Sequence, residues 1–220
     1  MSRPAPRTIF TSYAVAWLYL AGFVAAEVIY AALSPHDQAA VIGWASTNVH
    51  NLQHHPVGSM VASAFVANAF ATSWPALIAL AMFGANSVLG NWRTALVCAA
   101  GHVAGTLVSE GIAAYRISRR LLPESSRHII DVGPSYVVVS AIVVALLYGS
   151  RLARAAAALD LAVLVFVGDI FGGLSQLDVA AVGHLTAMSV AAAGGSVLLW
   201  QLRRRQRRPL PEDPAGAPDG

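Results

Sequence analysis

The chain has 220 residues, 56% hydrophobic and only 11% charged, with a mean hydropathy of +0.60. Soluble domains carry about 25% charged residues, so a water-facing surface cannot be coated, and the same shortage excludes disorder outside the ends. The net charge of +3 rests on 14 basic residues, all Arg, with a terminal cluster of five over 203–208 that makes nucleic acid not the first explanation, and the single Cys98 excludes an intrachain disulfide.

Thr11 to Leu33 is long enough to cross a bilayer, which takes about 20 apolar residues. It exceeds the apolar core of a secretory signal, about 7–15 residues, and reads as an uncleaved first span carrying one acid, Glu27. Ser34-Pro35 has the chemistry of a helix start. From His36 to Gln53, Ala40, Val41, Trp44, Ala45, Val49 and Leu52 share a face, which predicts a helix lying in the interface and ended by Pro56. Val57–Val66 reads as an entering segment and Ser73–Leu89 as the second crossing, with Pro75 interrupting the run. Gly90 to Arg93 is a turn. Thr94–Tyr115 is the third crossing, and Arg116–Ile130 a polar loop with four Arg. Tyr136–Tyr148 is a short fourth span of 13 residues. Ala155–Phe171 is the fifth and Val179–Trp200 the sixth, followed by an Arg-rich, then Pro- and Asp-rich tail. The domain division is therefore an N-terminus over 1–10, a membrane domain over 11–200 and a disordered tail over 201–220.

Arg203, Arg204, Arg205, Arg207 and Arg208 favour a cytoplasmic C-terminus. Six crossings bring Arg3 and Arg7 to the same side, with Arg93, Arg151 and Arg154. Arg116, Arg119, Arg120 and Arg127 fall outside and run against the rule. The all-Arg, Ala-rich usage points to a GC-rich bacterial genome and the arrangement to a multi-pass cell-membrane protein.

Ionisable residues inside spans are costly and face the bundle interior or water. Here they are Glu27, His102, Glu110, Asp160, Asp169 and His184, with Asp131 and Asp178 at the margins. His102, Thr106 and Glu110 are spaced by four and share a helix face, a pattern read as interhelical hydrogen bonding. Ser135 opens the fourth span and His184 lies in the sixth. Counted from their cytoplasmic ends at about 1.5 Å per residue, they sit roughly 21 and 24 Å up, at one level. Gly183, Ala187, Ala191 and Gly195 form a small-residue stripe that admits close backbone approach. A Ser beside a His is the minimum for nucleophilic catalysis.

These features resemble the rhomboid superfamily of intramembrane serine proteases, over roughly Thr11 to Trp200. They include a large first loop with an interfacial helix, a Gly-x-Ser at Gly133–Ser135, and Gly183-His184 near the start of a small-residue-rich sixth span. The likeness is greatest to the small actinobacterial rhomboid-like branch, with its His55-Pro56, Gly101-His102 and Ser135-Tyr136. The resemblance implies a six-helix all-α membrane bundle, Ser135 as nucleophile and His184 as general base. It implies no cofactor or metal, and transmembrane-helix substrates or clients. Departures are also present. Tyr136 replaces the Gly that follows the nucleophile in active rhomboids. Pro134 precedes Ser135 and lacks an N–H. The His-x-x-x-Asn of the second span has no match at Phe70 and Trp74, and the first-loop Trp-Arg motif is missing at Trp44. Asn68, His102, Gly133 and Tyr136 are the candidate oxyanion or supporting residues. Alternative readings are an inactive bundle that binds client helices and a proton-coupled carrier using Glu27, Glu110 and Asp169. His50 and His54, at i and i+4 beside His55, have zinc-ligand spacing but read as the end of an interfacial helix.

Overall fold

The computed structural model describes residues 10–67 and 72–206. No strand occurs among them, and every regular element is helical. Helix α1 spans Ala14–Ala31, α2 Pro35–Ala45, α3 Val49–His54, α4 Pro56–Ser63, α5 Trp74–Leu89, α6 Asn91–Ser118, α7 Ser135–Tyr148, α8 Arg151–Phe166 and α9 Val179–Gln206. Two short 3-10 turns, Glu124–His128 and Leu174–Gln176, punctuate the loops before α7 and α9. Three helices, α1, α6 and α9, are long and apolar enough to cross a membrane; α5 and α7 are apolar but shorter.

The helix ends follow from local chemistry. The Ser34 hydroxyl accepts the Asp37 N–H at 3.2 Å and Pro35 fills the first turn of α2, where a missing N–H costs nothing. The same rule corrects two expectations. Pro56 opens α4 instead of merely closing the preceding helix, and Pro75 sits in the first turn of α5 instead of interrupting it. The single helix expected over 36–53 is broken at Ser46–Asn48. Asn48 caps α3 through the Asn51 N–H at 2.9 Å. The Asn51 side-chain amide then donates to the carbonyls of Gly43, Trp44 and Ser46 at 2.7, 3.2 and 2.8 Å, satisfying the orphaned end of α2. The turn expected at 90–93 contracts to Gly90, whose φ of 72° lets α5 run directly into α6. Helix α8 stops at Phe166, so Asp169 lies in an exposed turn rather than inside a span.

Helix α7 is the centre. It packs against α5, α6, α8 and α9, and every residue from Tyr136 to Ala145 is buried. Its Val and Ile side chains have one strongly preferred helical rotamer, so packing them costs little side-chain entropy. Helices α6 and α9 meet closely: a Cβ at Gly105 would lie 2.9 Å from the Gly183 carbonyl, and one at Gly101 3.3 Å from that of Ala187. The stripe on α9 thus receives the small face of α6. Polar pins fix α1 at both ends. Asn86 and Asn91 donate to the carbonyls of Ser12 and Thr11, each at 2.7 Å. The Tyr19 hydroxyl donates to the Ala64 carbonyl at 2.7 Å, and Glu27 accepts the Ala67 N–H at 2.8 Å.

Candidate functional site

Ser135 is the first residue of α7. It is delivered by a tight approach in which Gly133 adopts φ 147°, a region that side-chain-bearing residues avoid, and donates its N–H to the Ser63 carbonyl at 3.1 Å. That N–H is therefore engaged, and Pro134 has none. Val138 donates to the Pro134 carbonyl at 2.9 Å. The N–H groups of Ser135, Tyr136 and Val137 come before the first intrahelical bond.

His184 is buried on α9, 4% exposed. Its Nδ1 lies 2.9 Å from the Ile170 carbonyl, in the loop after α8. A carbonyl only accepts, so Nδ1 carries the hydrogen and, in the neutral ring, Nε2 carries the lone pair. Nε2 has no hydrogen-bond partner; the Ser135 hydroxyl does not bond it in this arrangement. Ser135 and His184 line one cavity of about 280 Å³, with Ala67, Trp74, Leu164 and Ile170 among its walls and Gly133 at its margin. A second, smaller recess between α5 and α8 shares Trp74, Leu164 and Gly168 with it.

Tyr136 points away from Ser135 into the gap between α6 and α9. Its ring lies edge-on to His184, centroids 5.0 Å apart at 78°. Its hydroxyl donates to Asp131 Oδ2 at 3.1 Å and lies 3.4 Å from the Val179 carbonyl. Asp131 is held in turn by the first loop. Its carbonyl accepts the Thr47 N–H at 2.8 Å and the Thr47 hydroxyl at 3.0 Å. Its carboxylate lies 3.2 Å from the same hydroxyl, and its N–H donates to Ser46 Oγ at 2.9 Å. Burial pushes the Asp131 carboxyl up to about 6, against the lowering hydrogen bonds from Tyr136 and Thr47, while the charge of Asp178 adds to the rise.

His102 does not line this cavity. Its Nε2 lies 2.9 Å from the Met60 carbonyl and 3.3 Å from Ser63 Oγ, and the ring borders a separate apolar cavity of about 300 Å³ between α1, α4 and α6. The Ser63–His102 pair looks like a second dyad but has the wrong proton. Nε2 must carry the hydrogen to satisfy the carbonyl, so it cannot take one from Ser63. The pair pins α4 to α6. Further along the same face, toward the C-terminal end of α6, Thr106 and Glu110 are buried, and Glu110 bonds the Val49 backbone N–H, so the stripe tethers the first loop. Asp160 is 1% exposed with neither carboxylate oxygen bonded. Asp178 caps α9 through the Ala180 N–H at 3.0 Å. Asn68 and Phe70 lie outside the described residues.

In the first loop, His54 Nδ1 donates to the His50 carbonyl at 2.7 Å, and His55 stacks on Trp44 at 5.3 Å. His128 joins the group, its ring 4.5 Å from that of His50. No group of three His, Cys, Asp or Glu placed to hold a metal ion occurs among the described residues.

Sequence reasoning brings Ser135 and His184 to one level, and the structure brings both to one cavity. It misses the Ser46–Thr47–Asp131–Tyr136 chain. Thr47 and Asp131 are 84 positions apart, and nothing local marks either as the other's partner. The Ile170 carbonyl that orients His184 is equally silent, being backbone.

Long apolar helices packed around a buried central one describe an integral membrane protein. A family model described as rhomboid-like protein matches residues 9–201, and the chain belongs to that rhomboid-like family. Neither a curated protein nor a solved structure matches it.

Proposed function

We propose that the protein is a serine-type intramembrane endopeptidase that cleaves single-span membrane proteins. In this reading the bundle crosses the membrane six times with both ends in the cytoplasm, the helices α2 and α3 lie at the outer interface, and water enters from the outer side. The observation that carries it is the setting of His184: Nδ1 is committed to the Ile170 carbonyl, Nε2 is buried without a hydrogen-bond partner, and the residue lines the same cavity as Ser135. Such a ring is a base, not an acid, toward a neighbouring hydroxyl. As the Ser135 oxygen attacks the scissile carbonyl, its proton passes to Nε2. Collapse of the tetrahedral adduct returns that proton to the leaving amine and leaves an acyl-enzyme on Ser135. Water, deprotonated by the same nitrogen, then releases the acid and restores the serine. The first N–H groups of α7, which have no intrahelical acceptor, and the positive end of its dipole are the donors this reading assigns to the carbonyl oxygen as charge develops on it. Catalytic hydrogen bonds are often long in unliganded enzymes and tighten with substrate; in this reading the Ser135–His184 bond forms when substrate binds.

A second reading is a bundle that binds client helices without cutting. The observations favouring it are the unbonded Ser135–His184 pair and the Gly133 N–H already spent on Ser63. Incubation of purified protein with a fluorescent single-span substrate decides between them. Cleavage that disappears in both Ser135→Ala and His184→Ala establishes the protease. Absence of cleavage, with client binding equal in parent and Ser135→Ala, establishes the binding module.

A further inference from the structure

We infer that Tyr136 is a positioning residue for His184, and that the first loop sets its position through Thr47 and Asp131. The inference rests on the reading of His184 as the base only for its effect on rate; the geometry stands by itself.

The structure treats Tyr136 as a built part. Its ring occupies space that only glycine leaves open: a Cβ at Gly183 would overlap the phenol, and one at Gly105 would come within 3.3 Å of the ring. The ring is 2% exposed and meets the His184 imidazole edge-on. The Ile170 carbonyl fixes one edge of that imidazole and Tyr136 fixes its tilt, so Nε2 is aimed by two contacts from opposite elements. Tyr136 itself is aimed by its hydroxyl. The acceptor, Asp131, is on a loop, and a loop carboxylate is a poor anchor unless it is held. Here the first loop holds Asp131 at three points: the Thr47 N–H and hydroxyl at its carbonyl, the same hydroxyl at its carboxylate, and Ser46 Oγ at its N–H. Ser46 and Thr47 are in turn 0% and 1% exposed, and Ser46 is locked by the Asn51 amide at its carbonyl and the Asn48 amide at its hydroxyl. A displacement of the α2–α3 elbow is thus carried through Asp131 to the ring that seats His184.

The consequence is that the first loop, which faces an approaching substrate in the proposed topology, can align or misalign the base without touching it. The test reads the imidazole directly, so that absence of cleavage and failure of this coupling are told apart. Full-length protein labelled with ¹⁵N-histidine is placed in lipid nanodiscs, with His184 assigned by its loss in His184→Asn. Tyr136→Phe removes only the hydroxyl. Thr47→Val removes the hydroxyl's bonds to the Asp131 carbonyl and carboxylate, leaves the backbone N–H bond, and touches neither Tyr136 nor His184; Thr47→Ser keeps them. The expected result is that the His184 ring signals shift in Tyr136→Phe and in Thr47→Val and return to parental values in Thr47→Ser. Carbethoxylation of His184 should rise several-fold in the first two. Where the parent cleaves substrate, kcat should fall with KM held. Unchanged His184 signals and modification rate in folded Thr47→Val overturn the coupling, as does a change confined to Tyr136→Phe. Should Thr47→Val fail to fold, Ser46→Ala, which removes the acceptor of the Asp131 N–H, gives the same reading.

Discussion

Gly183 lies directly beneath the phenol of Tyr136, and a methyl group added there would overlap the ring. The Tyr that replaces a Gly after the serine is therefore matched by a Gly on another helix, and the two positions form one unit. Gly183→Ala should destabilise the bundle by about 1–3 kcal/mol, the usual cost of overpacking. Pairing it with Tyr136→Ala should recover part of that loss, since contacting residues are not additive. Thermal unfolding of the four proteins in one detergent checks this.

Asp131 gives a stability term of definite sign. Its carboxyl is raised by burial from 3.8 to about 6, so the folded form holds the proton more tightly than the unfolded one. The contribution is fully present below about 3.8 and is lost as pH rises through about 6. Asp131→Asn should flatten the change in melting temperature across that window. A pH profile as steep as the parent's would place the dependence elsewhere.

His50 acts in the opposite direction. Burial lowers it from 6.5, and His54, His128, His55 and Arg127 add like-charge repulsion. A depressed base contributes stability above about 6.5 that is lost as pH falls. Acidification should separate the 3-10 turn carrying His128 from α3, read as faster amide exchange there, and His50→Gln should blunt the effect.

Glu27 is the acid that holds a cavity wall. It accepts the Ala67 N–H at 2.8 Å, and Ala67 lines the space shared by Ser135 and His184. Glu27→Ala should cost about 1–3 kcal/mol by orphaning a buried donor. Glu27→Gln, which keeps an acceptor oxygen, should cost less. Labelling of a cysteine placed at Ala67 reports whether the wall has moved.

Much of this fold is legible because apolar length and terminal chemistry are local signals. Ser34-Pro35 and Gly90 mark helix junctions, and the runs giving α1, α5, α6 and α9 are long enough to read alone. Boundaries set by proline are legible only in part: Pro56 and Pro75 look like breaks, and only their places in the first turns of α4 and α5 show them to be starts. Ser135 and His184 are legible as a pair because both sit a countable distance from a helix end. What orients them is not. The Ile170 carbonyl and the Thr47–Asp131–Tyr136 chain depend on loops meeting across the fold, and the sequence period carries no trace of such meetings.

Helix α7, 14 residues long, rises only about 21 Å, against roughly 30 Å of hydrocarbon. Nearly all of it is wrapped by protein rather than lipid. A segment so short is a weak membrane passenger by itself, and beyond its last turn, where Leu147 is exposed, it has little surface to present to acyl chains. Its seat is made by α5 and α6, already synthesised, and by α8 and α9, still to come. The order of biogenesis follows: the helix that bears Ser135 stays unsettled until the last two helices close around it, and a chain truncated before α9 should be handed to quality control instead of maturing.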